Sequence, residues 1–187
     1  MTALGNLWYL AERASQQAER VYHELLDHHD EGHYETTNRK HVSRRRFRVL
    51  AGRIRETGAP YGAHTAVYRP SGELLLVRHE GVDLWVLPGG SLDGHETFRE
   101  AAERELAEEA GIEASYEGLG MLSRVEIRST DYHTWGVLPV YAARAETTDP
   151  EVSDPDDEIS EARWFEDPPA DTRDREDLLA WRERYLD

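Results

Sequence analysis

The chain has no cysteine, and Lys40 is the only lysine among its 22 basic residues. Without cysteine there is no disulfide framework, no thiol nucleophile and no cysteine-ligated zinc. No apolar run approaches the roughly 18 residues of a membrane span, and the N-terminus lacks a basic stretch followed by an apolar one. No internal repeat is visible, and the acidic residues are not gathered into one tail, which argues against a disordered acidic arm. A soluble protein of the cytoplasm is therefore expected.

What the sequence has in excess is acid. The net charge is -16 over 187 residues, a length that suits one domain with an extension. Acidic, lysine-poor surfaces suit high salt, where screening shortens the Debye length to about 3 Å at 1 M. A halophilic source is therefore expected. On that expectation the melting temperature rises from low-salt buffer to molar KCl, and a flat or falling trend would count against it.

Residues 1–28 predict a helix, with Leu4, Leu7, Trp8, Ala11, Ala14, Ala18, Val21, Tyr22 and Leu25 spaced three and four apart. This stripe is expected to pack on the main domain or on a second copy, so a homodimer is a candidate assembly. The tract Asp27-His28-His29-Asp30-Glu31-Gly32-His33 reads as an acidic turn rather than a metal site. Between Arg39 and Arg55 the charge changes sign, and eight of the 22 basic residues fall there. Phe47, Leu50 and Ile54 supply a helical stripe and Ser43 an N-cap. Residues 1–55 hold 10 basic and 7 acidic side chains, residues 56–187 hold 12 and 31. The basic segment reads as a helix whose arginines pair with the acidic remainder or with a partner subunit. Nucleic acid is not the expected partner, because so acidic a protein repels phosphate backbones.

Gly58-Ala-Pro-Tyr-Gly62 punctuates the chain and marks the expected boundary between an N-terminal helical extension (1–60) and the main domain (61–187). Strands are predicted at His64–Arg69, Glu73–Arg78 and Leu84–Leu87, then across 114–128 and 133–145, and at Ala162–Phe165. Helices are predicted from Phe98 to Ala110, with Phe98, Ala102, Leu106 and Ala110 buried and Gly111 beyond its end, and from Asp174 to Leu186. Strands in the middle bracketed by helices indicate α/β (α+β) architecture with a layered mixed sheet.

The most informative stretch is 89–112. Glu105, Glu108 and Glu109 lie at i, i+3 and i+4 on one helical face, where like charges cost a few tenths of a kcal/mol per pair. A hard cation such as Mg²⁺, which takes carboxylate and phosphate oxygens, is the simplest chemical account of that face. The positions Gly90, Glu96, Arg104, Glu105, Leu106, Glu108, Glu109, Gly111 and Ile112 also match, without departure, the pattern Gly-x5-Glu-x7-Arg-Glu-aliphatic-x-Glu-Glu-x-Gly-aliphatic. That pattern resembles the signature of the Nudix hydrolase family, and the flanks "WVLPGG" and "ISEARWF" agree. The resemblance covers about residues 62–187.

The resemblance implies an α/β/α sandwich with a mixed sheet, in which the box forms a loop–helix–loop. It implies hydrolysis of a nucleoside diphosphate linked to another group, with Mg²⁺ or Mn²⁺. By position, Glu105, Glu108 and Glu109 would be ligand carboxylates and the Gly89 carbonyl a further ligand. Arg104 would hold Glu105 in place, and Glu96 would be a structural or pairing residue. A further carboxylate acting as base or ligand is expected from Asp154, Asp156, Asp157 and Glu158, of which Glu158 is favoured because it precedes the last strand. ADP-ribose, nucleoside triphosphates and dinucleoside polyphosphates are the candidate substrates. Tyr132, His133 and Trp135 are candidates for stacking on a base, with Trp135 equally suited to the core. The rival functions are a non-catalytic module that senses a nucleotide, and an RNA-directed hydrolase using residues 39–55.

Overall fold

The computed structural model describes residues 3–29 and 32–186, with side chains from Asn6 onward. Leu4, Asp30 and Glu31 of the sequence expectations therefore lie outside the described side chains. The chain divides into two compact units, one of Met1–Gly62 with Leu122–Pro139, the other of Ala63–Met121 with Val140–Asp187. The sequence boundary near residue 60 is where the first segment of the first unit ends. What the sequence did not announce is that 122–139 joins that unit.

In the first unit, α1 (Ala3–His28) packs on α2 (Arg44–Thr57). Leu7, Ala11, Ala14, Ala18, Val21 and Leu25 are buried on α1, and Phe47, Leu50, Ala51 and Ile54 on α2. Trp8 departs from the expected stripe and is 55% exposed. Ser43 caps α2 by accepting from the Arg46 amide, the kind of contact worth about 1 kcal/mol. Gly58 ends it in the left-handed conformation, where a Cβ would strike Val21. Between the helices runs β1 (Tyr34–His41), followed in the sheet order by β6 (Ala114–Ser129) and β7 (Tyr132–Ala145), whose 122–129 and 132–139 portions belong here. β1 was not foreseen. Its sequence, YETTNRKH, alternates half-buried and exposed residues without an aliphatic side chain.

The second unit holds β2 (Ala63–Tyr68), β3 (Leu74–His79), β4 (Leu84–Val86), β5 (Gly89–Gly90), α3 (Phe98–Ala110), β8 (Ile159–Phe165) and α4 (Arg175–Tyr185). β2 runs parallel to β7, with His64 opposite Val140 and Tyr68 opposite Arg144. Its neighbour β3 is antiparallel to β2, β4 and β8, with an irregularity at Arg78/His79 opposite the start of β8. The sheet is therefore mixed, and with its helices it gives the expected α/β class. Leu106 and Ala110 pack into a core with Val67, Leu75, Val77, Val86, Ile112 and Ile159. Ala102 joins Ala63 and Tyr141, with Phe98 against them. The stripe expected on this helix is the face that meets the sheet. No described helix is long and apolar enough to cross a membrane.

Candidate active site

The helix α3 starts with a full capping box. Thr97 accepts from the Glu100 amide, and the Glu100 carboxylate accepts from the Thr97 amide. The apolar face of α3 is fixed on the sheet, and the same packing fixes the flank beside it, where Glu105 and Glu109 are buried and Arg104 and Glu108 stand half-buried next to them. Glu105 and Glu109 are buried although charged by type. Two local devices hold them.

The first is the glycine pair. β5 pairs with the beginning of β2, Gly90 opposite Ala63 and Gly89 opposite His64. This seats the Gly89 amide so that it donates to Glu109 Oε2 at 2.8 Å. A Cβ on Gly89 would overlap the Ala63 carbonyl oxygen, and one on Gly90 would overlap Glu105 Oε1. Glycine is needed at both positions because backbone and carboxylate approach so closely.

The second is Arg104. Its Nε and Nη2 grip Glu96 bidentately at 2.7 and 3.0 Å, and Nη2 also donates to the Ser91 carbonyl at 3.0 Å. Nη1 reaches Glu105 at 3.0 Å and Glu108 at 3.2 Å. The fork geometry of the guanidinium suits this role, and a lysine could not replace it. Glu96 is held below the usual carboxylate range by this hydrogen bond, and Arg104 is raised further by it. Glu96 is thus the residue that anchors Arg104, in keeping with the pairing role expected of it.

The charge of the buried pair is not matched. Burial raises the Glu105 carboxyl, against the lowering effect of Arg104. Burial pushes Glu109 up to about 8, against the Gly89 amide, and repulsion from Glu105, Asp154 and Glu158 adds to it. One guanidinium faces Glu96, Glu105 and Glu108, and Glu109 has only the Gly89 amide against its burial. Among the described residues no three acidic or histidine side chains already stand as a ligand cluster. The donor set nonetheless fits a divalent cation, since hard oxygen ligands lie together with a deficit of positive charge.

The acidic loop is tied to the end of α3. Glu151 and Ser153 donate their amides to the carbonyls of Ala110 and Glu108, at 2.8 and 2.9 Å, which satisfies carbonyls a helix end leaves open. Asp154 accepts from the amides of Asp156, Glu158 and Ile159 at 3.1, 2.7 and 2.9 Å. Its carboxylate organises the loop. Asp156 and Asp157 are exposed. Glu158 is exposed too, its carboxylate 3.4 Å from His79 Nε2. His79 Nδ1 accepts from the Gly81 amide at 3.1 Å, so the neutral ring carries its hydrogen on Nε2, toward Glu158. Sequence reasoning missed His79. Its only signal was a position at the end of a strand, beside the irregularity that starts β8.

Gly89, Arg104, Glu105, Glu108 and Glu109 are therefore brought together, and Glu158 is close enough to repel Glu109. Of the aromatic candidates, His133 is exposed and Tyr132 and Trp135 are buried. Tyr132 is 3% exposed, against Trp8 and Phe47, and Trp135 is 8% exposed, against Tyr22 and beneath the Arg124 guanidinium. Neither offers a free face to a base, and for Trp135 the core reading holds.

Comparisons with known proteins bear on the family and the fold. The family model for the NUDIX domain matches residues 59–184. The "Putative 8-oxo-dGTP diphosphatase" of Bacillus subtilis is 35% identical over 89 residues, 47% of this chain and 60% of that protein. The "Putative 8-oxo-dGTP diphosphatase 3" of Mycobacterium tuberculosis is 37% identical over 90 residues, 48% of this chain and 40% of that protein. This chain thus spans 60% or less of the length of these curated relatives. Among solved structures, the NUDIX domain of Shewanella oneidensis NrtR, complexed with ADP ribose, is 20% identical. It covers 67% of this chain and 86% of its own with a TM-score of 0.50, a likeness of fold. The match of the family model over two thirds of the chain, on a box whose every fixed residue is in place, makes this protein a member of the Nudix family.

Proposed function

We propose that the protein hydrolyses a phosphoanhydride bond of a nucleoside diphosphate derivative with Mg²⁺ or Mn²⁺, and that nucleoside triphosphates are the favoured substrate class. The observation that carries the reaction type is the buried, charge-deficient pair Glu105 and Glu109 beside the Gly89–Gly90 backbone. The substrate class is supported by the two relatives named as diphosphatases of 8-oxo-dGTP.

In this reading Glu105, Glu108, Glu109 and the Gly89 carbonyl hold the cation, and Arg104, fixed by Glu96, sets the directions of Glu105 and Glu108. When bound, the cation neutralises phosphate charge and lowers the pKa of a coordinated water. Glu158 accepts the proton of the attacking water, with its carboxylate steadied by His79. The water oxygen forms the new P–O bond, and the bridging oxygen leaves with the electron pair of the bond that breaks. Asp154 does not compete for this role, because three amides already occupy its carboxylate.

The test is a panel of dGTP, 8-oxo-dGTP, ADP-ribose and dinucleoside polyphosphates with either cation, read by product chromatography. Release of pyrophosphate from triphosphates supports the reading, and turnover of ADP-ribose alone would overturn the substrate class. General-base action costs a factor of about 10² to 10⁴ when removed. Glu158→Gln is thus expected to lower kcat by at least that lower factor while leaving KM near its starting value. Unchanged turnover and cation affinity would remove Glu158 from the mechanism.

A further inference from the structure

The arginines expected to pair with the acidic remainder do not all do so. Arg39 pairs with Glu126 at 2.8 Å, and Arg53 donates to the Pro60 carbonyl. Among the described residues, the guanidiniums of Arg45, Arg46 and Arg48 have no carboxylate partner, and all three residues are exposed. They stand on the first two turns of α2, next to Arg44, whose guanidinium lies 5.5 Å over the Tyr132 ring. Charge divides along the same line. The unit that carries them holds 12 basic and 10 acidic side chains, and the other unit holds 10 and 28.

Aromatic surface lies alongside. Tyr132 touches Trp8, ring centroids 5.3 Å apart, so Trp8 and Arg44 flank the same ring. Trp8 is 55% and Tyr9 63% exposed, and both line an open hollow of about 410 Å³ with His133. His133 also lines a second hollow, of about 480 Å³, with His41 and Arg128. The carboxylates on this surface are Glu12, Asp131 and Glu126, of which Glu126 is held by Arg39 and Arg128.

We propose that this surface of the first unit binds single-stranded nucleic acid, with Arg45, Arg46 and Arg48 on phosphates and Trp8 and Tyr9 as stacking platforms. Unpaired arginines beside exposed aromatic faces are what a single strand requires, since its bases are free to stack while its backbone needs cations. In a duplex the bases are already stacked, so it would use only the arginines. A second copy of the chain fits less well. A twofold contact centred on this surface would set the arginine cluster against itself. A membrane surface also fits less well, because Phe47, Leu50, Ala51 and Ile54 of α2 are buried and Val49 alone of its aliphatic side chains is exposed, short of the apolar face an interfacial helix inserts.

The experiment is fluorescence anisotropy with the full chain and a labelled mixed-sequence oligonucleotide of roughly 15 nucleotides, single-stranded or annealed. Salt is varied between about 50 and about 200 mM KCl. The expected result is tighter binding of the single strand than of the duplex. The combined change Arg45→Gln, Arg46→Gln, Arg48→Gln weakens it at least tenfold at low salt. Each neutralised phosphate contributes about 0.7 to the logarithmic salt slope, so the slope shrinks by about 2. Tyr9→Ala, at an exposed side chain, weakens binding roughly fivefold or more and leaves the slope unchanged. Absence of binding by the parent chain at low salt would overturn the proposal. So would equal binding by the triple variant, tighter binding to phosphatidylserine vesicles than to the strand, or a dimer in sedimentation that the triple variant dissociates. None of these readouts involves hydrolysis, so the outcome is independent of the reaction proposed above.

Discussion

Glu109→Gln lowers kcat by at least two orders of magnitude and, in the metal-free protein, flattens the dependence of stability on pH. Both effects come from one side chain, which is 6% exposed and receives the Gly89 amide. A glutamine keeps the shape and can still accept that hydrogen bond through its carbonyl oxygen, so the fold is retained. What it loses is the negative charge offered to a cation, and metal sites supply several kcal/mol of charge stabilisation, each 1.36 kcal/mol being tenfold in rate. The pH effect has the opposite value for the molecule. Burial raises the Glu109 carboxyl from 4.5 to about 8, so at neutral pH the metal-free folded protein holds a proton that the unfolded chain has released. Stability from that proton is whole below the unfolded value and is lost as pH rises through about 8, a change on the order of a few kcal/mol. Glutamine is neutral throughout, so urea melts in chelator at about pH 6 and about pH 9 should differ less for the variant than for the parent chain. Near-parental turnover would sink the mechanism. An unchanged pH slope would sink the assignment of the raised carboxyl to Glu109.

The same site shows how far residue patterns carry. Every fixed residue of the box could be named from spacing, and so could the apolar stripe of α3, because helical periodicity sets which residues meet the sheet and which flank them. The strands expected across 114–128 and 133–145 stand as β6 and β7. β1 was not legible, because Tyr34 is its only apolar residue and strand reasoning looks for alternating apolar ones. His79 was not legible either. Its partner Glu158 lies 79 positions later in the chain, and only the antiparallel pairing of β3 with β8 brings them together. The fate of the arginines is the same kind of limit. A count of charges suggests pairing, yet whether a guanidinium on an exposed helical turn finds a carboxylate depends on which elements lie opposite it. For Arg39 the neighbouring strand supplied Glu126, and for Arg45, Arg46 and Arg48 no described element supplied any.

Substituting alanine at each of the two adjacent glycines separates fold from chemistry. At Gly90 the added Cβ would overlap Glu105 Oε1, the far end of a flexible side chain. The carboxylate can retreat by about 1 Å, and a displacement of that size at a reacting centre costs on the order of a hundredfold. Gly90→Ala is therefore expected to melt near the parental temperature, to bind Mn²⁺ more weakly and to lose most of its turnover. At Gly89 the added Cβ would overlap the Ala63 carbonyl oxygen, and the backbone stands at φ +156, rarely adopted with a side chain. A backbone oxygen committed to a sheet cannot retreat as a carboxylate can, so Gly89→Ala should lower the melting temperature as well as the activity. For a chain of this length 1 kcal/mol corresponds to roughly 2–4 °C, which a calorimeter resolves. Parental turnover in Gly90→Ala would mean that Glu105 is not required where it stands. An equal loss of melting temperature in the two variants would mean that the glycines serve the fold alone.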